Sequence, residues 1–240
     1  MKLEDFISKR LGLGTRSTRA LFLEGKITVD GRNVRDHRVI VSRFDEIRCA
    51  EEILQRGKER LYLMLNKPVG ILSATSDPEH RTVIDLIDHP DKKDLHLAGR
   101  LDRSSTGLVL LTNDGTWSES LTLPGRKREK VYFVETDRPI PPEAVALFRE
   151  GFIFATEGIT TLPAGLELLS PTAARVTLHE GRYHQIKRMF HRIDGIRLRS
   201  LHREAIGGVR LPEDLPLGSW RKLTTDELTS IHPSDETGIN

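Results

Sequence analysis

Residues 96–115, HLAGRLDRSSTGLVLLTNDG, decide how this chain reads. A polar loop bracketed by Gly99 and Gly107 runs straight into residues 108–111, an apolar run without alternation. Such a run reads as a strand buried on both faces. Loops delivered by buried strands are where chemistry-bearing side chains collect. Asp102 stands at the loop's centre between Arg100 and Arg103. On local pattern alone, the stretch also describes an ordinary turn whose aspartate caps a backbone amide.

Working outward, strand-like runs recur at 61–65, 69–73, 108–112, 131–136, 165–169, 174–179 and 196–202, with helical patterns at 82–88, 115–121, 142–150 and 183–193. The spacing is too irregular for a regular strand–helix–strand alternation and has no fixed repeat. An α+β domain over 61–233 is expected, with a mixed, mainly antiparallel sheet flanked by helices. Ahead of it, Leu3, Phe6, Ile7 and Leu11 lie at helical spacing, and Gly12 and Gly14 end that helix. A second short helix is expected over 17–24, closed by Gly25. KITVDGRNV (26–34) then reads as a hairpin turning at Asp30-Gly31. These pieces make a small module over residues 1–50. Residues 51–60, polar and charged, read as a linker, and 234–240 as a frayed tail.

The chain has 240 residues, 37% hydrophobic and 30% charged, which supports a real core. Its apolar runs last about five residues, against the ~20 a membrane-spanning helix needs. The start carries Glu4 and Asp5 and no signal-like apolar stretch. Cys49 is the single cysteine, so neither an internal disulfide nor a multi-cysteine zinc site is available. A cytoplasmic protein without a membrane partner is expected. Net charge is only +2, but residues 181–210 carry 8 Lys and Arg against 2 Asp and Glu, and residues 1–60 carry 14 against 10. Two basic islands suit a polyanion meeting defined faces; solvated helix faces explain the charge equally well.

Several patterns lead nowhere. His179-Glu180 with His184 has a spacing of five where a zinc-protease helix needs four, and Gly181 interrupts it. No phosphate-binding lysine loop or complete dinucleotide fingerprint is present. Residues 180–190, EGRYHQIKRMF, are more informative. As a helix over 183–193 they bury Ile186, Met189, Phe190 and Ile193, and distribute Arg182, Lys187, Arg188 and Arg192 around the rest.

Together these segments resemble a known family. Residues 99–115 resemble the catalytic signature of pseudouridine synthases, in the branch that modifies ribosomal RNA. KPVG (67–70), EKVYFV (129–134), EGRYHQIKRMF and LHREAIGGV (201–209) look like that branch's other motifs, in order. The first fifty residues are similar to the S4 RNA-binding domain found ahead of many such catalytic domains. The wording at Tyr183-His184 is most similar to the RsuA type, which acts on bacterial small-subunit (16S) rRNA.

The resemblance implies an isomerase that detaches uracil from its ribose, turns it and rejoins it through C5, with no cofactor and no metal. Asp102 matches the essential aspartate, attacking either ring C6 or the sugar. Tyr132 matches the tyrosine that stacks on uracil and can accept the C5 proton. Lys187 matches the basic partner that keeps the aspartate ionised. Arg100 is placed to enter the RNA stack as the target base flips out. Further RNA contacts are expected from Arg103, Arg182, His184 and Arg188, and from Lys9, Arg10, Arg16 and Arg19 of the first module, mostly to phosphates. The implied substrate is one uridine of 16S rRNA, uridine 516, modified by a monomeric enzyme during small-subunit assembly. A large-subunit 23S rRNA synthase and a non-catalytic RNA-binding assembly protein are the alternatives; retention of Asp102, Tyr132 and Lys187 argues against the second.

Overall fold

The computed structural model describes residues 1–122 and 128–231; the expected tail at 234–240 and the last residues of the expected second domain lie outside them. The chain divides into two compact units, Met1–Arg60 and Leu61–Asn240.

In the first unit, helices α1 (Leu3–Leu11) and α2 (Thr15–Leu23) precede a small antiparallel sheet. Its strands are β1 (Ile27–Val29), β2 (Arg32–Asn33), β3 (Ile47–Cys49) and β4 (Glu52–Gln55), in the order β2-β1-β3-β4. Gly12, in the left-handed region at φ 67°, closes α1. Leu3, Ile7, Phe22, Ile27, Val41, Ile47 and Leu54 form the core. The segment expected to be a linker, 51–60, is therefore corrected. Glu52–Gln55 pairs with β3, and Leu54 is buried in the module's core. Only Ile53 and Leu54 advertise that strand in an otherwise polar stretch.

The second unit contains β5 (Tyr62–Lys67), β6 (His96–Leu97), β7 (Thr106–Thr112), α3 (Gly115–Thr122), β8 (Lys130–Thr136), α4 (Ala144–Glu150), the short pair β9 (Ile153–Phe154) and β10 (Ile159–Thr160), β11 (Gly165–Ser170), β12 (Ala173–Leu178), α5 (Gln185–His191), β13 (Leu198–Ile206), β14 (Val209–Arg210), β15 (Trp220–Lys222) and α6 (Thr225–Ile231). The main sheet runs β11-β12-β8-β13-β7-β5-β15, with β14 beside β13 and β6 beside β7. Only the β13–β7 pairing is parallel among those described.

Residues 108–111 are all fully buried. Val109 and Leu111 face a core shared with Phe148, Met189 and Phe190, while Leu108 and Leu110 face one shared with Trp117 and Leu121. Helices on both faces thus explain why this strand is apolar throughout. The expected strand at 69–73 does not form. Pro68 offers no N–H, Gly70 sits at φ 85°, and the segment instead straps the loop after β6. There Gly70 N donates to Arg103 O at 2.8 Å, and Ser73 Oγ donates to Leu101 O at 2.7 Å. The helix expected at 82–88 shortens to a 3₁₀ turn, Val83–Leu86, with Thr82 and Asp85 as its capping box.

Candidate active site

One register row crosses five strands of the sheet: Val176, Tyr132, Arg203, Gly107 and Lys67 pair successively on β12, β8, β13, β7 and β5. The row places a tyrosine and two cations beneath the loop that carries Asp102. At its middle, Gly107 has φ 104°, and a Cβ there would come within 2.4 Å of Arg203 O. A side chain at 107 would force the parallel pair apart, so the motif needs glycine at this point.

Both cations are buried, Lys67 at 0% and Arg203 at 2% exposure. Lys67 Nζ donates to Ser105 O at 2.8 Å, to Pro68 O at 2.9 Å and, longer, to Arg103 O at 3.4 Å. Arg203 Nε donates to Leu108 O at 2.8 Å and Nη1 to Arg100 O at 3.2 Å, with the guanidinium 6.0 Å from the Tyr132 ring centre. The Asp102 loop is therefore held from below through its own carbonyls. Burial pushes the Lys67 ammonium down from 10.5 to about 8, against the pull of the Asp102 carboxylate; Arg203 and Lys187 add to the fall.

Above the loop, Asp102 Oδ2 lies 2.8 Å from Lys187 Nζ, and Oδ1 lies 3.5 Å from His184 Nε2. Lys187 also donates to Ser104 Oγ at 2.9 Å. The Asp102 and Lys187 side chains are 26% and 31% exposed, so the pair is reachable by a ligand. α5 brings them together: its buried stripe, Ile186, Met189 and Phe190, fixes the helix on the core and turns Lys187 toward the loop. The turn before α5 is built around Glu180, itself only 3% exposed. Its carboxylate accepts from Leu162 N, Gln185 Nε2 and Arg182 Nε at 2.9, 2.8 and 2.8 Å. That network holds His184 in the left-handed region at φ 47°, a conformation that costs a non-glycine residue about 1 kcal/mol. Asp102, Tyr132, His184, Leu201 and Arg203 line a cavity of about 850 Å³, open to the surface.

The site thus joins an open cavity with room for a nucleobase, a carboxylate held between two basic groups, and a buried tyrosine. Residues 61–192 match the RNA pseudouridylate synthase family. The chain belongs to that family. It is 48% identical to the ribosomal small subunit pseudouridine synthase A of Pseudomonas aeruginosa, over 96% of this chain and 100% of that one. With the protein of the same name from Escherichia coli K12 it shares 40%, again over 96% and 100%. A crystal structure of a pseudouridylate synthase superposes with a TM-score of 0.70 at 37% identity, over 96% of this chain and 99% of the other. As a pseudouridine synthase the protein is an isomerase, and the α+β architecture with its mixed sheet is that of the family.

Within this synthase, the other residues expected to meet RNA fall into two groups. Arg100 and Arg103 are exposed at the cavity, although Arg103 Nε also donates to Gly70 O at 3.1 Å. Arg182 is held by Glu180, and Arg188 by a two-pronged pair with Glu157 at 2.9 and 2.6 Å. Arg188 also lies over the Phe154 ring, 3.6 Å from its centre. In the first unit, Lys9, Arg10 and Arg16 are exposed and form no ion pair among the described residues, whereas Arg19 binds Glu4 at 2.6 Å. Lys67 lies within KPVG and Arg203 within LHREAIGGV, and the sequence alone gives neither a role. A lysine closing an apolar strand was the available signal.

Proposed function

We propose that this enzyme converts one uridine of 16S rRNA, uridine 516, to pseudouridine while the small subunit is being assembled. The observation that carries the chemistry is the contact between Asp102 and Lys187 at the cavity beside Tyr132. The small-subunit choice is supported by relatives that carry that name and match the chain from end to end. The wording at Tyr183-His184 supports it too.

Asp102, held by its 2.8 Å contact with Lys187, is the nucleophile, and whether it meets ring C6 or the sugar, the same pairing orients it. Tyr132 stacks on the flipped uracil and takes the C5 proton. Arg203, under the tyrosine, and Lys67, under the loop, hold these two groups in register. Arg100 fills the stack that the uridine leaves. The first unit acts as the S4-type RNA-binding module, with Lys9, Arg10 and Arg16 on phosphates. The enzyme works as a cytoplasmic monomer. No described helix is long and apolar enough to cross a membrane.

Mapping pseudouridines in rRNA from cells with and without the gene tests the reading. One small-subunit site is lost and every large-subunit site is kept. A loss in 23S rRNA instead would leave the chemistry standing and overturn the substrate. No loss, with no tritium released from C5-labelled rRNA, would make the protein a binder.

A further inference from the structure

Tyr183 is 76% exposed, the sole aromatic among the strongly exposed large hydrophobic residues described. It nevertheless lines the cavity that holds Asp102. Its ring lies flat on the His184 imidazole, with centres 3.9 Å apart and planes at 21°. His184 in turn stands 3.5 Å from the Asp102 carboxylate. One face of the tyrosine is thus covered by histidine, and the ring as a whole remains open to solvent at the cavity mouth. The backbone beneath is not free to drift. His184 keeps its left-handed conformation, and Arg188 Nη1 donates to Tyr183 O at 3.3 Å.

An aromatic ring carried on a fixed backbone and left exposed has no role in the core. Covering its apolar face with a flat partner at the cavity mouth is favourable. When the target uridine leaves its stack, the bases next to it lose a neighbour, and every nucleobase has a flat face that an aromatic ring can replace. Resting on the functional reading above, we infer that Tyr183 is a stacking subsite for the nucleobase immediately flanking the target uridine. The flipped uracil enters the cavity against Tyr132, and its neighbour lands on Tyr183 at the rim. His184 backs the tyrosine and links this subsite to the Asp102 carboxylate.

The test is steady-state turnover of a C5-tritiated 16S fragment by the full-length protein and its Tyr183→Ala and Tyr183→Phe variants. Losing one base stack raises KM about tenfold in Tyr183→Ala. The value of kcat changes less, and Tyr183→Phe, which keeps the ring, restores KM. Independently, 2-aminopurine is placed at each flanking position of the fragment and bound to Asp102→Asn protein. Its fluorescence falls at one position and recovers when Tyr183→Ala is added. Unchanged KM in Tyr183→Ala, or a Phe variant as poor as Ala, overturns the stacking subsite. So does a kcat loss with a shifted pH profile and no change in KM, which would make Tyr183 a cover for His184. Each of those outcomes leaves the functional reading intact, because wild-type turnover on the fragment reports on it separately. A wild-type protein that releases no tritium overturns that reading and the subsite with it.

Discussion

The two units place the same kinds of side chain in opposite surroundings. In the first, Lys9, Arg10 and Arg16 stand exposed on or beside short helices, with no ion pair among the described residues. In the second, Lys67 and Arg203 are buried and donate their hydrogen bonds to carbonyls of the Asp102 loop. An exposed cation acts at range, is screened by salt and retains its donors for a phosphate. A buried one spends most of its donors on backbone carbonyls and acts on geometry and local potential. The number of basic residues therefore does not say which of them meet RNA; partners and burial do.

The sharpest break between the two classes is at the cavity itself. Asp102→Asn keeps the loop's shape and removes the charge. Turnover by tritium release falls at least ~10³-fold while RNA affinity and thermal midpoint stay close to wild type. A well-folded variant with substantial turnover would remove Asp102 from the chemistry. Lys187→Met comes next, with kcat lower by about 10²-fold. Because both partners are partly exposed, its stability cost stays near 1 kcal/mol, read from denaturant midpoints. A much larger stability loss with little loss of rate would assign Lys187 to the scaffold.

Lys67 separates catalysis from stability by pH. Its ammonium donates to three carbonyls, and a neutral amine has only two N–H groups to offer. As pH rises through about 8 the loop loses a tether, and kcat/KM falls by up to about tenfold per unit. Stability moves the other way. With a folded pKa of about 8 against an ordinary 10.5, the unfolded chain holds the extra proton between those values. Through this window the residue's contribution to folding stability therefore rises with pH; below it, the folded state bears the whole cost of a buried charge. Lys67→Met is slower at pH 7 and lacks that alkaline limb. The same limb in the Met variant would place the titration elsewhere.

What could be read in advance followed from locality. The apolar run at 108–111, the glycines around Asp102 and the Asp30-Gly31 turn each declare themselves within a few residues, and the corresponding elements formed. The contact between Asp102 and Lys187 came through the family resemblance, since no spacing rule joins two such distant segments. β4 looks like linker in the sequence because a strand with one buried face in a small sheet needs few apolar residues. The tethering roles of Lys67 and Arg203 depend on a register row that crosses five strands, and a one-dimensional pattern does not show it. The same holds for the partners of Arg19, Arg182 and Arg188, two of which pair with carboxylates from other elements. As sequence, those arginines look like Arg16.

That likeness supplies the finest test of the comparison. Arg16 and Arg19 lie on the same short helix, and both are exposed, but only Arg19 is already committed, to Glu4 at 2.6 Å. If phosphate contact is what an unpaired exposed cation does, Arg16→Gln removes one released counterion from RNA binding. The slope of log K against log salt then becomes shallower by about 0.7 for a single strand. Arg19→Gln leaves the slope nearly unchanged and shows instead in a lower thermal midpoint. Glu4 is largely buried in the module, and it loses the larger of the two influences that hold its carboxyl below the usual range, keeping only His37 at 2.7 Å. Titrations of the full-length variants at several salt concentrations measure both slopes. Equal slopes for the two variants would mean that the Glu4 pair opens when RNA arrives, and partner lists would then no longer separate binding cations from structural ones in this unit.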